Sequence, residues 1–189
     1  MALEALEAET GPHPATAIII LHGLGADGHD FVPIAQELDL AQLGSVRYVF
    51  PHAPSMPVTI NGGYVMPAWY DILGTEGVRR EDEAGLRRSQ ALVEDLIARE
   101  RLGGLVGLSG YLPLAGTIAA ERATANADVP IFLAHGRMDP MIPIVRATAS
   151  RDTLVALGHP VEWHDYPMAH SVCPEEVVDL NRWLLRTLA

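Results

Sequence analysis

Two stretches in the C-terminal half hold residues suited to proton transfer. His135-Gly136-Arg137-Met138-Asp139-Pro140 places a carboxylate just past an apolar run, and Tyr166-Pro167-Met168-Ala169-His170 places an imidazole just past the next. An imidazole can take a proton from a hydroxyl nucleophile. A carboxylate bonded to its other nitrogen fixes the tautomer and stabilises the imidazolium. Acid first and histidine second, each behind a strand, is a known order for such a pair when the nucleophile comes earlier in the chain. Taken singly, Asp139 would be a turn former and His170 a surface residue. Their matched placement makes them candidate catalytic partners.

The second site of interest is Ala17-Ile18-Ile19-Ile20-Leu21-His22-Gly23-Leu24-Gly25-Ala26-Asp27-Gly28. A β-branched run reads as a strand buried on both faces, and it ends abruptly in glycines. Two chemistries fit. Gly23-Leu24-Gly25-Ala26-Asp27-Gly28 matches G-x-G-x-x-G and would cradle a dinucleotide pyrophosphate. Alternatively, His22-Gly23-Leu24-Gly25 looks like the loop after the first central strand of an α/β-hydrolase, where the Leu24 N–H would face an oxyanion. The dinucleotide reading needs an acid at the end of the next strand, but Val46-Arg47-Tyr48-Val49-Phe50 runs into Pro51-His52. Asp27 would also place a negative charge inside the phosphate cradle. Dinucleotide binding is the remote alternative.

Composition narrows the partners. A net charge of −11 argues against nucleic acid and anionic membrane surfaces. The single cysteine, Cys173, excludes an internal disulfide. Met1 to Glu9 is acidic where a signal peptide is basic, and no apolar run approaches the roughly 18 residues of a membrane span. A cytoplasmic protein is expected. No His-Glu-x-x-His motif or helical pair among the eight histidines suggests a metal site.

The elements that must position these residues alternate. Residues 1–14 read as a loosely held arm, and 15–189 as one domain. Helices are expected over Asp30–Leu38, Glu81–Arg101, near Ala115–Ala125, over Pro143–Leu157 and from Pro174 onward. Strands are expected at Val46–Phe50, Leu102–Ser109, Pro130–His135 and Val161–Tyr166. This pattern predicts an α/β fold with a mainly parallel sheet and helices on both faces. The long stretch 51–80 carries Val58, Ile60, Tyr64, Val65, Met66, Trp69 and Tyr70, which would either line an acyl pocket or cover the sheet edge.

Several stretches together resemble one family. They are Leu21–Asp27, Pro57–Tyr64, Trp69–Ile72, Leu108-Ser109-Gly110-Tyr111-Leu112-Pro113, His135-Gly136 with Asp139, and Tyr166-Pro167-Met168 with His170. The chain is similar to the bacterial carboxylesterase and acyl-protein thioesterase family, also called the phospholipase/carboxylesterase family of α/β-hydrolases. That resemblance implies hydrolysis of short to medium carboxylic esters, thioesters or lysophospholipids without a cofactor. It implies Asp139 and His170 as catalytic acid and base, and Leu24 as oxyanion donor. Ile60, Tyr64, Met66, Trp69 and Tyr70 would contact substrate, and a homodimer is left open.

The family nucleophile sits in a Gly-Phe-Ser-Gln-Gly-Gly elbow, and this chain has none. The helix ending near Glu100 runs straight into Leu102-Gly103-Gly104, so a central βα unit of roughly 30 residues is missing. Ser109 is the one serine with a glycine two residues before it, but Tyr111 stands where an elbow needs a small residue. Cys173 follows the histidine, which is the wrong order. Three readings follow: a serine esterase whose serine-bearing segment is absent from this sequence, an inactive internally deleted homologue that binds acyl ligands or partners, and an active hydrolase with Ser109 as stand-in nucleophile.

Overall fold

The computed structural model of the chain describes residues 3–73, 80–97 and 102–189. Its contacts group into two compact units, Met1–Glu37 with Gly44–Glu100 and Leu38–Leu43 with Arg101–Ala189.

In the first unit, the expected arm contains a strand. β1 (Ala5–Glu9) has five residues and pairs antiparallel with β3 (Val46–Pro51), while β2 (Thr16–Ile19) pairs parallel with β3 on its other side. Leu6 supplies the apolar side chain of β1, and Glu7 meets Arg47. This local pattern is too short to stand out in a sequence. Being central, β3 buries Val46, Tyr48, Val49 and Phe50. β2 is less buried than its isoleucine run predicts, because it has one neighbour rather than two.

The loop after β2 winds through a 3-10 turn, Gly28–Phe31, into α1 (Val32–Glu37). Within the stretch 51–80, β4 (Ser55–Val58) and β5 (Tyr64–Pro67) form a hairpin. Gly62 and Gly63 take φ of 67° and 81° at its turn, values that favour glycine. β6 (Ile72–Leu73) and β7 (Arg80–Glu81) make a further short pair. α2 (Glu83–Leu96) follows, capped by Asp82, which accepts the Gly85 N–H at 2.9 Å. The expected end of this helix at Arg101, and the junction near Glu100, lie outside the described residues.

The second unit carries β8 (Leu105–Leu108), α3 (Ile118–Glu121), β9 (Ile131–Gly136), α4 (Ile144–Ala156), β10 (Val161–Tyr166) and α5 (Pro174–Leu188). Its three strands are parallel, in the order β10-β9-β8. Strand alternation assigns the two faces. Phe132 and His164 turn towards Trp183 of α5, with the Phe132 and Trp183 rings 5.8 Å apart. Leu133 and Trp163 turn the other way and, with Ala147 and Leu154 of α4, line a small apolar cavity of about 150 Å³. Burying rings such as Phe132 and Trp183 contributes about 2–3 kcal/mol each.

Each three-stranded sheet ends, among the described residues, in a parallel strand with an open side. β2 and β8 each pair with one neighbour among the described residues. Leu105 and Val106 of β8 are 40% and 43% exposed. Apolar parallel strands are normally covered on both sides.

Candidate active site

Asp139 and His170 come together at the carboxyl edge of the β8–β10 sheet. His170 Nδ1 lies 2.7 Å from Asp139 Oδ2. Because a carboxylate only accepts, Nδ1 carries the proton and Nε2 is left as the basic nitrogen. The Asp139 side chain is fully buried, whereas that of His170 is 44% exposed. Asp139 Oδ1 also accepts the N–H groups of Met141 and Ile142 at 2.7 and 2.9 Å. Burial pushes the Asp139 carboxyl up, but the Ile142 N–H, the His170 ring and the Met141 N–H outweigh it. The acid is held below its ordinary value. It stays an anion whose task is to orient and stabilise the imidazole.

The loops that carry the pair are stitched together by the backbone. Arg137 N–H donates to Tyr166 O at 2.8 Å, and Met138 N–H to Met168 O at 3.0 Å. Gly136 makes this approach possible. A Cβ there would stand 2.3 Å from Ala169 O and 2.5 Å from Met168 O, both backbone atoms. His135, fully buried, completes the support: its Nε2 is 2.8 Å from Ile142 O and 3.4 Å from Asp139 Oδ2. Both are acceptors, so Nε2 carries a proton and donates. His135 is a positioning residue to which the sequence reading gave no role. The signal was present in a histidine-glycine pair closing a strand three residues before the acid.

Ser109 follows β8 at the same sheet edge. It is one of few non-glycine residues with a left-handed backbone, at φ 52°. Strain of this kind concentrates at functional sites. Its Oγ, however, is buried and makes no hydrogen bond among the described residues, so it is not paired with His170. A nucleophile must meet both base and substrate. As it stands, Ser109 meets neither condition. The Cys173 thiol is pushed up by burial, which opposes thiolate formation.

The first unit holds the glycine loop. His22 Nε2 accepts the Ala53 N–H at 2.9 Å, and Trp69 Nε1–H donates to His22 O at the same distance. Gly25 N–H donates to Pro67 O at 3.0 Å, and Ala26 N–H to Gly23 O at 3.3 Å. The Leu24 N–H between them has no hydrogen bond among the described residues. An uncommitted N–H on a loop fixed at both sides is what an oxyanion donor requires. His22 thus positions the loop, a role the sequence reading did not assign.

The expected substrate contacts divide. Trp69 is tied to His22, with ring centroids 5.4 Å apart, and Met66 Sδ accepts from Asn61 Nδ2 at 3.3 Å. Tyr70 is half-buried. Ile60 and Tyr64 stand open to solvent, Tyr64 at 69%.

Comparison with known proteins shows the family. The phospholipase/carboxylesterase family matches residues 2–101 and 96–188, two pieces that overlap at residues 96–101. The chain is 35% identical to acyl-protein thioesterase 1 of Neurospora crassa, covering 93% of this chain and 88% of that one. It is 36% identical to acyl-protein thioesterase 1 of Yarrowia lipolytica, covering 91% of each. These alignments run over 216 and 208 residues, more than the 189 of this chain, so each opens a gap within it. Among solved structures, Zea mays acyl-protein thioesterase 2 superposes with a TM-score of 0.83 at 27% identity, covering 98% of this chain and 99% of that one. The fold is that of the α/β-hydrolase esterases, and the chain belongs to the phospholipase/carboxylesterase family.

Proposed function

We infer that this protein belongs to carboxylic ester or thioester hydrolysis, with His170 as general base and Asp139 as its partner. The serine on which they act lies in a βα unit that these 189 residues do not include. The observation that carries this is the Asp139–His170 hydrogen bond at 2.7 Å, with a buried anion behind a half-exposed imidazole. His170 would take the serine proton, and Asp139 would hold the resulting imidazolium. Leu24 would donate to the oxyanion. The family's second donor, from the residue after the serine, is lost with the missing unit.

The substrate class is a small ester or acyl thioester, in keeping with the acyl-protein thioesterase relatives. Met66, Trp69 and Tyr70 would contact the acyl group, with Ile60 and Tyr64 at the open rim. Residues 15–189 would act as one domain in a cytoplasmic protein without a cofactor. Among the described residues, no helix is long and apolar enough to cross a membrane.

A second reading rests on the unpaired Ser109 Oγ. A chain of only these residues has a base and no nucleophile, and would bind acyl ligands or partners without turning them over. Intact mass, measured beside a short-chain ester assay and fluorophosphonate labelling, separates the two. Added mass of roughly 30 residues with labelling supports the esterase. A 189-residue mass without labelling establishes the inactive binder, while stoichiometric labelling at Ser109 would overturn both.

A further inference from the structure

Within the first unit, two imidazoles and a carboxylate gather at one spot. Asp27 and His29 lie in the loop between β2 and α1, and His52 directly follows β3. Gly28 brings them together. A Cβ there would stand 2.6 Å from Phe50 O and 3.1 Å from the His52 ring, so a side chain would lift the loop off the strand end. Gly28 N–H meets His52 Nδ1 at 3.2 Å. His29 Nδ1 is 3.0 Å from Asp27 Oδ1, and the two imidazole centroids are 5.4 Å apart. One ligand atom from each of the three residues lies within 4.8 Å of the other two.

Helix capping accounts for part of this. Asp27 Oδ1 accepts the His29 N–H at 2.7 Å, and Asp27 N–H donates to Asp30 Oδ2 at 2.8 Å. Capping does not call for a second imidazole, and His52 comes from a different element. Two imidazole nitrogens and one carboxylate oxygen are the donor set of divalent transition cations. Zinc takes bonds of about 2.0–2.2 Å to such atoms, which sets neighbouring ligands roughly 3.4 Å apart. The His29–Asp27 pair is already that close. His29, with a side chain 68% exposed, has room to turn and close the remaining gap. The 3.2 Å bond to His52 is long and competes weakly for its nitrogen.

The geometry points to a mononuclear site for a divalent transition cation of the Zn²⁺ type, held by Asp27, His29 and His52 with water completing the shell. The cation would clip the loop bearing Leu24 to the end of β3. It has no place in the proton transfer assigned to His170.

Calorimetric titration of the full chain with zinc chloride tests this, beside cobalt substitution read by visible absorption. One equivalent is expected to bind with a Kd in the micromolar range or tighter, and cobalt should give the spectrum of a site with nitrogen and oxygen ligands. His29→Ala and His52→Ala should each weaken binding by at least about tenfold. His29 is exposed, so its variant keeps the test valid should His52→Ala misfold. His164→Ala, beside Glu162 and Asp179 in the other unit, should leave binding unchanged. Absence of saturable binding overturns the site, as does equal affinity in His29→Ala and Asp27→Asn.

Discussion

His170 Nδ1 lies 2.7 Å from Asp139 Oδ2, and only the imidazole of the pair reaches solvent. The carboxylate is held by three hydrogen bonds and its pKa is below the ordinary value. The folded state therefore binds its proton less tightly than the unfolded chain does. Stability from this group is present above the unfolded pKa of about 3.9 and is lost as pH falls through the lower folded value. Asp139→Asn should cost about 1–3 kcal/mol at neutral pH. Urea denaturation at neutral pH and at successively lower pH should show the gap to the parent narrowing as the acid is protonated.

Gly136→Ala should cost about 2–3 kcal/mol, because the added methyl meets backbone oxygens that cannot rotate aside. Relief requires the 168–169 segment to move, carrying His170 away from Asp139. The His170 Nδ1–H proton, held by Asp139 in the parent, should lose its hydrogen-bonded NMR resonance in the variant. An unchanged Nδ1–H resonance would show that the loop spacing does not control the pair.

Glu176 presents the opposite sign. It is fully buried near the start of α5, where the Cys173 backbone N–H only partly offsets the loss of water from its carboxylate. Burial pushes its pKa up from 4.5 to about 7. The folded state holds this proton more tightly, so stability falls as pH rises between those values and the penalty is complete above them. Glu176→Gln should stabilise the protein by up to about 3 kcal/mol at pH near 8, and by almost nothing at pH near 4. Thermal melts at the two pH values give the comparison.

Ser109→Gly should raise stability by about 0.5–1 kcal/mol, since glycine accepts the φ of 52° and removes a buried hydroxyl without a partner. The parent chain, at verified mass, should take no fluorophosphonate label, and the variant should behave the same. Label lost on this substitution would make Ser109 the nucleophile.

The positions of Asp139 and His170 were legible because each follows a parallel strand, and that placement survives in a one-dimensional pattern. Val161–Tyr166 forms a strand with the bounds expected for it. β1 was not legible: five residues with one large apolar side chain carry little period, and Val46–Pro51 recruits them from across the loop. Nor did alternation of strand and helix reveal that, among the described residues, the parallel strands fall in two three-stranded sheets. Deleting a whole βα unit leaves the alternation intact and changes only which strands have neighbours. His22 and His135 escaped for a different reason. Their roles are hydrogen bonds to Ala53, Trp69 and Ile142, which spacing along the chain does not encode. The Asp27–His29–His52 cluster is hidden in the same way, since it joins a loop to a strand end.

Leu38–Leu43 belongs to the second unit, although the residues on both sides of it belong to the first. The polypeptide thus changes unit after Glu37, after Leu43 and after Glu100. No single cut can release the second unit whole. Cleavage between Ile97 and Leu102 would leave an N-terminal fragment still carrying residues 38–43, whose 3-10 turn Ala41–Leu43 packs on α5 of the C-terminal fragment. That borrowed segment acts as a tether that survives the loss of the peptide link. A nicked sample should therefore give two bands on a denaturing gel and one peak on a sizing column.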